Sequence, residues 1–570
     1  AGEIPVRSEL LRRRLLWLGL VVLVLVPYLA PGVDILDAPF VYDDKVEVLG
    51  NRAIRIFEEW RTILGYNVSR PLLMLSYAAD FHRSGPDPAG YHVSSLLVHA
   101  LAMLGALGLA EALARLLGLQ RPLMRAAAIV LVWAIHPMCT ESVTYVTGRS
   151  EALCALFSFA ALAAWARALL AERGGDGQGG LVWRGLGILA FCGAAASKEV
   201  GVMVPFAMIA MELSLGPGDS LTARLRNSRW LTWVPSLALI AGAVALRASS
   251  AEQLIPQEVE RTLSVQLTTS AEVWRHYVQL WLVPVGQTIL HHQTDVALAS
   301  GRGALAWGAW GAMLVGVVMV WRRKPAVGWA LLCAGLFLIP STSFVSLKEH
   351  MAEHRAYQTG FWLCLAAGLA LPVLPKVRIV PVVALLVVVL GVATGARNRV
   401  WNSELALWQE AARRNPDSQE AWYGLGDAAR FARDCTRAAP AYQKVVELDP
   451  SYLDAWNNLG ICRAQLGDED GAREAWLGAL RQRPSYCRAH TNLGSLAYRQ
   501  RKWDEAKVEL RSSLAYCPEN TVAHWLLGNI YYGPQRDVEK ALIHYETLVA
   551  IDPRFEHAGL AKERILELTW

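Results

Sequence analysis

Charge is what this sequence has least of. Asp, Glu, Lys and Arg make up 18% of its 570 residues, against about 25% in an ordinary soluble domain. So little charge argues against a wholly soluble architecture. No strong basic excess exists either: the formal net charge is +5 and scattered, which excludes a nucleic-acid surface built on phosphate neutralisation. Nine cysteines are dispersed, with no CxxC and no His/Cys cluster at ligand spacing, so structural zinc is not expected. His291 and His292 lie near Asp295, but adjacent histidines seldom ligate one ion together, and no metal is assigned there. A cleavable leader is not expected. The first apolar run, Leu15–Ala30, follows Arg12, Arg13 and Arg14 without a small-residue cleavage motif, so it reads as a retained first span.

What is present is apolar sequence, 54% of the chain, with mean hydropathy +0.27. It concentrates in residues 15–396, whereas 401–570 is ordinary charged sequence. Two domains follow: 1–400 in lipid, with a first outer loop over 32–91, and 401–570 in water. Candidate spans of roughly the ~20 residues that cross a bilayer sit near 15–31, 92–117, 123–137, 150–170, 182–197, 201–215, 231–247, 304–321, 326–344, 358–375 and 378–396. The stretch 271–284 carries Arg275 and His276 and is laid on the outer surface. With the N-terminus inside, every short inner loop is basic: Arg115/Arg121/Arg125, Arg167/Arg173/Arg184, Arg224/Arg226/Arg229, Arg322/Arg323/Lys324 and Lys376/Arg378. That is the positive-inside rule. Eleven spans place the C-terminal domain outside, in the periplasm of a bacterium or an organelle lumen.

The same orientation gathers polar residues of membrane depth on the outer side. Tyr42-Asp43-Asp44 and Arg70 fall in the first outer loop, His136 to Glu141 and Gly148-Arg149-Ser150-Glu151 in the second, Ser197-Lys198-Glu199 in the third and Glu349 to Tyr357 in a later one. Ionisable groups at this depth are costly and usually functional. Carboxylates and cations on one face suit an anionic headgroup.

Beyond residue 401 the sequence repeats. Pro416, Pro450, Pro484, Pro518 and Pro553 recur at intervals of 34, 34, 34 and 35. Gly426, Gly460, Gly494 and Gly528 keep step, as do Ala438, Ala472, Ala506 and Ala541. Large residues fill a fixed position at Tyr442, Trp476, Leu510 and Tyr545. This period reads as about four tetratricopeptide repeats with flanking helices, each burying its apolar face on its neighbour. If the array is exported, Cys435, Cys462, Cys487 and Cys517 sit where disulfides persist. Cys487 begins one helix of a repeat and Cys517 ends the next, so a Cys487–Cys517 bridge and four buried thiols are both open.

Sugar transfer to a hydroxyl needs a carboxylate to take the acceptor proton, and Asp43 with Asp44 supplies a pair. One can act as base while the other orients; the plainer reading is a helix cap or solvated turn. Arg70, Arg149, Lys198 and Arg355 are cations able to hold a departing phosphate, or else to snorkel to headgroups. Glu141, Glu199 and Glu353 are placed to orient them, and His136 either bonds the sugar or caps a span.

Taken in order, Ser69-Arg70-Pro71-Leu72, Tyr91-His92 through His99-Ala100-Leu101, His136-Pro137 with Thr140-Glu141, Gly148-Arg149, Ser197-Lys198-Glu199, Glu353-His354-Arg355-Ala356-Tyr357 and Arg397-Asn398 through Trp401 resemble the transmembrane and tetratricopeptide-repeat-containing O-mannosyltransferases and their bacterial relatives, of the GT-C superfamily. The resemblance covers nearly the whole chain. It departs at Ala356, where the family usually has Leu before Tyr, and in an array shorter than many. It implies an all-α fold of a GT-C-like membrane domain and a repeat solenoid. By it, Asp43 is the base and Asp44 its helper. Arg70 matches the family's basic residue before proline, and Lys198 and Arg355 would hold the lipid phosphate; the residues themselves add Arg149 to the donor-phosphate cations and place His136, Glu141, Glu199, Glu353 and Tyr357 in support. The implied donor is a polyprenyl- or dolichyl-phosphate sugar, mannose foremost. The implied acceptor is a Ser or Thr hydroxyl of an exported polypeptide held in the repeat groove, and no metal or other cofactor is required. Two rivals stay open: a polysaccharide polymerase or ligase, and a non-catalytic anchored scaffold.

Overall fold

A computed structural model describes residues 3–33, 35–218, 220–227, 232–238, 241–242, 261–291, 294–342, 349–371 and 379–569. Regular structure among these residues is helical throughout. The chain divides into two compact units, Ala1–Leu407 and Trp408–Trp570.

In the first unit, described helices run α1 (Glu3–Leu29), α2 (Trp60–Tyr66), α3 (Pro71–Ser84), α4 (Pro88–Leu116), α5 (Pro122–Ala134), α6 (Thr140–Val143), α7 (Arg149–Arg173), α8 (Gly177–Ser197), α9 (Val204–Leu215), α10 (Leu221–Asn227), α11 (Leu263–Leu282), α12 (Gly301–Arg323), α13 (Pro325–Leu336), α14 (Ile339–Thr342), α15 (Tyr357–Ala370) and α16 (Ile379–Trp401). Pro71, Pro88, Pro122 and Pro325 each open a helix, the position where a missing N–H costs nothing. Side chains of Asp87, Asp176 and Ser300 cap α4, α8 and α12.

Six helical segments among the described residues are long and apolar enough to cross a membrane, and a seventh if α5 and Pro137–Val143 count as one span bent by 65°. The bend falls at His136, whose extended backbone is what a following proline imposes. Eleven spans were expected from the sequence. Helices α9 and α15, of 12 and 14 residues, are short for spans. Helix α1 keeps Arg12, Arg13 and Arg14 in every stretch of 18 residues, which leaves no uncharged stretch of that length. The expected span at 231–247 lies partly outside the described residues, and the basic pair Lys376/Arg378, Arg229 and His292 lie wholly outside them.

The stretch 271–284, expected on the outer surface rather than as a span, falls largely in α11, a 20-residue helix that is not among the segments apolar enough to cross a membrane. Val273, Trp274, Tyr277, Leu280 and Trp281 sit in the main core. Their spacing of three and four is one helical face, and Arg275 points the other way, exposed and 2.8 Å from Glu272. That core also holds Trp133, Phe159, Phe361 and Trp362, edge-to-face or tilted at centroid distances of 4.4 to 5.7 Å. Each such ring contributes about 1.5–3 kcal/mol through burial. The loop after α1 is itself folded. Phe40, Val48, Ile54, Ile63, Met74 and Tyr77 pack with Val146 and Leu153, which fixes the acidic pair against the start of α7.

The second unit pairs its helices: Gln419–Phe431 with Cys435–Leu448, Leu453–Gln465 with Glu469–Gln482, Cys487–Arg499 with Trp503–Tyr516, and Thr521–Tyr532 with Val538–Ile551, followed by Ala558–Thr569. The period now has a steric cause. A Cβ on Gly460 would enter the Trp476 indole, and Gly426, Gly494 and Gly528 face Tyr442, Leu510 and Tyr545 in the same way. The turn inside each pair holds one left-handed residue: Arg433 (φ 58°), Gly467 (φ 84°), Arg501 (φ 58°) and Arg536 (φ 51°). Each stands 17 residues before the next proline, but Arg536 stands 18 after Pro518 rather than 17. The single 35-residue interval is therefore one residue inserted ahead of the fourth turn. Cys487 and Cys517 are joined in a disulfide, their Cα atoms 6.1 Å apart. Cys435 and Cys462 are buried free thiols.

Candidate active site

The chain enters the site at Tyr42, whose φ of 49° is a left-handed conformation costing a bulky residue about 1–3 kcal/mol. Its hydroxyl donates to Glu349 Oε1 at 2.5 Å, one contact that holds the turn. The two aspartates that follow are not equivalent. Asp44 is buried, at 1% exposure. Its Oδ1 accepts from the Thr147 backbone N–H at 2.8 Å and from Thr147 Oγ1 at 2.5 Å, and its Oδ2 from the Val41 N–H at 3.3 Å. Asp44 thus ties the acidic loop to the turn before α7. Asp43 stays exposed, and its backbone N–H donates to the Tyr145 hydroxyl at 3.1 Å.

Arg70 and Arg355 act on this loop, and Lys198 joins them around His354. Arg70, the residue ahead of α3, grips Glu199 with Nε at 3.1 Å and a terminal nitrogen at 2.8 Å. Lys198, where α8 ends, places Nζ 2.8 Å from Glu151 Oε1 and 3.4 Å from Ser150 Oγ. Arg355 donates to the Glu349 carbonyl at 2.9 Å. Arg70 and Arg355 act electrostatically on Asp43, and Lys198, Arg355 and Arg70 all act on His354. His354 Nδ1 in turn meets Glu141 Oε1 at 2.6 Å. Residues 43, 70, 198, 354 and 355, drawn from four separated stretches of sequence, share one neighbourhood.

Burial raises the carboxyls of this loop. The Asp43 carboxyl is shifted upward by the surrounding protein even though the residue remains accessible, with the Tyr145 hydroxyl and the guanidiniums of Arg70 and Arg355 drawing it partly back. Asp44 is pushed up to about 7 by burial, against its hydrogen bonds from Thr147 and Val41. Glu47 and Glu349 are raised by burial as well. A raised carboxylate is a stronger base, the property proton abstraction needs.

Residues 405–430, 425–486 and 491–554 match the tetratricopeptide repeat family model. Over 192 residues the chain is 28% identical to Protein O-mannosyl-transferase TMTC4 of Homo sapiens, covering 30% of this chain and 26% of that protein. Over 199 residues it is 26% identical to Protein O-mannosyl-transferase TMTC3 of Homo sapiens, covering 32% and 20%. The chain is similar to the TMTC proteins. It spans about a quarter or less of the length of these relatives. Among solved structures it is similar to YrrB, a TPR protein with an unusual peptide-binding site, at 21% identity, 28% of this chain, 81% of that one and a TM-score of 0.25, a superposition too loose to argue from.

Several expected site residues in this TMTC-like chain are fully engaged elsewhere. Arg149 is 0% exposed. It donates to Asp80 Oδ2 at 2.6 Å, the Tyr91 carbonyl at 2.6 Å, Ser95 Oγ at 3.0 Å and Ser76 Oγ at 3.3 Å, and it lies 5.4 Å over the Tyr77 ring. Glu353 is 0% exposed; it accepts from the Thr288 N–H at 2.7 Å and Gln287 Nε2 at 2.9 Å, and meets His291 Nε2 at 2.9 Å. Glu141 also accepts from the Glu353 N–H at 3.0 Å. Tyr357 meets His99 Nδ1 at 2.6 Å, and His136 stacks on Trp281 at 4.3 Å. Sequence reasoning missed Tyr145, Thr147 and Glu47. No spacing rule marks them, and only the packing of the first loop on the start of α7 brings them in.

Proposed function

We propose that this chain transfers a sugar, mannose foremost, from a polyprenyl- or dolichyl-phosphate to a Ser or Thr hydroxyl of an exported polypeptide. Asp43 takes the hydroxyl proton as that oxygen attacks the anomeric carbon. The carbon–oxygen bond to the lipid phosphate breaks on the opposite face, so configuration inverts, and the phosphate leaves with the bonding pair. Arg70, Lys198 and Arg355 carry the developing charge. Glu199 and Glu151 hold two of these cations in place, and Tyr145 steadies the Asp43 loop. Asp44 has a positioning role: with Thr147 it fixes where Asp43 points. Arg149, Glu353 and Tyr357 brace the elements that carry the site. The departing group is a monoester phosphate, so side-chain cations suffice in this reading and no metal is assigned.

The observation that carries the proposal is an accessible carboxylate of raised basicity with two guanidiniums acting on it. The bridge between Cys487 and Cys517 supports a non-cytosolic repeat unit, in the periplasm for a bacterial inner-membrane protein. There the repeats would hold acceptor and raise its local concentration. The similarity to TMTC3 and TMTC4, named protein O-mannosyl-transferases, supports the sugar and the acceptor class.

The deciding experiment incubates purified protein with radiolabelled polyprenyl-phosphate mannose and an exported proteome. Wild type labels polypeptide in a linkage released by β-elimination, and Asp43→Asn, which folds with an unchanged melting temperature, labels none. Retained labelling in Asp43→Asn refutes the assignment. Absence of labelling by wild type, with peptide binding intact, leaves an anchored repeat scaffold.

A further inference from the structure

A second site lies at the far end of the same helices. Helices α4, α7 and α8 leave a cavity of about 270 Å³, lined among others by Gly105, Gly108, Ala160, Ala163, Trp183 and Arg167. Arg167 comes 18 residues after the start of α7, so about 27 Å of helix separates it from the cluster around Asp43. It also lies about 9 Å inside the other end of that helix, within a segment apolar enough to cross a membrane. That places it near the inner boundary of the span, with the basic residues of the inner loops, where phosphate headgroups lie.

Arg167 has little to satisfy it. Its guanidinium lies 5.0 Å over the Trp183 ring, and among the described residues none of its N–H groups makes a hydrogen bond. Glu111 is the nearby carboxylate, yet Arg13 and Arg115 already hold it at 2.8 and 2.6 Å. Three guanidiniums therefore face one carboxylate, and the surplus is positive. Small side chains at Gly105, Gly108 and Ala160 open the cavity sideways beside Leu186, which is 45% exposed on a face that the span places among acyl chains.

We infer that this cavity binds an anionic phospholipid, its phosphodiester oxygens on Arg167 and one acyl chain along the small residues of α4 and α7. The anion answers the surplus charge, a guanidinium grips two phosphate oxygens at once, and basic pockets between spans take lipid headgroups. The site is separate from the donor site proposed above and does not depend on it.

The test uses the full-length chain in nanodiscs of phosphatidylglycerol and phosphatidylcholine, with bound lipid counted by native mass spectrometry. Wild type keeps phosphatidylglycerol in clear preference to phosphatidylcholine. Arg167→Gln lowers that occupancy about tenfold, the loss of one good charge-assisted contact. Arg167→Lys, which keeps charge but not two-point geometry, falls between, and Arg226→Gln, an exposed arginine elsewhere, changes nothing. The inference is overturned if Arg167→Gln and Arg167→Lys retain lipid as wild type does, or if both lipids bind equally. It is also overturned if millimolar inorganic phosphate displaces the lipid, or if cross-linking finds a second copy filling the cavity.

Discussion

Arg149 is the residue on which a structural and a catalytic role can be separated most cleanly. Its side chain and that of Asp80 are 0% and 3% exposed, 2.6 Å apart. Removing one member of a buried ion pair strands the other charge, at about 3–5 kcal/mol. Asp80 has two further partners, Ser94 Oγ at 2.5 Å and the exposed Arg83 at 2.9 Å, so the lower end, about 3 kcal/mol, applies to Arg149→Met. The carbonyl of Tyr91 and the hydroxyl of Ser95 lose their donor as well, adding up to about 1 kcal/mol each. Replacing both charges, Arg149→Met with Asp80→Leu, leaves no stranded ion and restores most of the loss. The assay is thermal unfolding of the detergent-purified chain beside mannosyl transfer, for wild type, both single variants and the double. Melting should drop by several degrees in each single variant and recover in the double, with transfer following melting throughout. A double variant that melts like wild type but transfers nothing would show Arg149 on the donor phosphate, and the structural reading would be wrong. A single variant that melts unchanged would refute the energetic argument itself.

Four further outcomes follow from particular contacts. Asp44, pushed up to about 7 from 3.8, favours its neutral form in the fold; its contribution is full below pH ~4 and lost as pH rises through ~7, worth about 3 kcal/mol between pH 5 and 8. Asp44→Asn should flatten that part of the melting-temperature profile, and an unchanged slope counts against it. Transfer by wild type should fall as pH drops through the raised Asp43 value, with its inflection above the ordinary aspartate range; an inflection at or below that range would remove Asp43 as base. Opening the Cys487–Cys517 bridge, which closes 30 residues, should cost about 3.5 kcal/mol, read as a lower second-unit melting transition in Cys487→Ser without reductant. Arg501→Gly, placing at φ 58° the residue type that Gly467 already supplies one repeat earlier, should raise that transition by about 0.5–1 kcal/mol, measured by calorimetry.

Legibility in the sequence divided by the range of the interaction. The repeats were readable because each depends on a local steric rule, a glycine beneath a ring and a proline after a helix, restated every 34 residues. The Cys487–Cys517 pairing was open to inference for the same reason, since both ends belong to one helical hairpin. Helix α11 was legible in part: Arg275 and His276 kept it from reading as a span, but the depth to which Trp274, Tyr277 and Trp281 enter the core depends on helices far away in sequence. The span count suffered likewise. Hydropathy marks apolar runs but does not say that α9 stops at 12 residues or that α5 bends at His136.

Within the site, residue types were legible and their division of labour was not. Adjacent aspartates are interchangeable on paper. What separates Asp43 from Asp44 is Thr147, 103 residues away, which takes one carboxylate out of solvent and leaves the other accessible. The three arginines among the four cations are likewise identical in kind until burial distinguishes them. Arg149 is closed in by Asp80, Ser95 and Tyr91, whereas the side chains of Arg70 and Glu199 remain 26% and 23% exposed. A guanidinium that already has a carboxylate and still faces solvent can exchange that partner for phosphate at little desolvation cost, because the carboxylate it releases is also wetted. A guanidinium sealed at 0% exposure cannot, because its release would strand Asp80 in a dry interior. Solvent access of the existing ion pair, more than the presence of the cation, therefore decides which arginine is free to meet a lipid phosphate, and by that criterion Arg70 precedes Arg149.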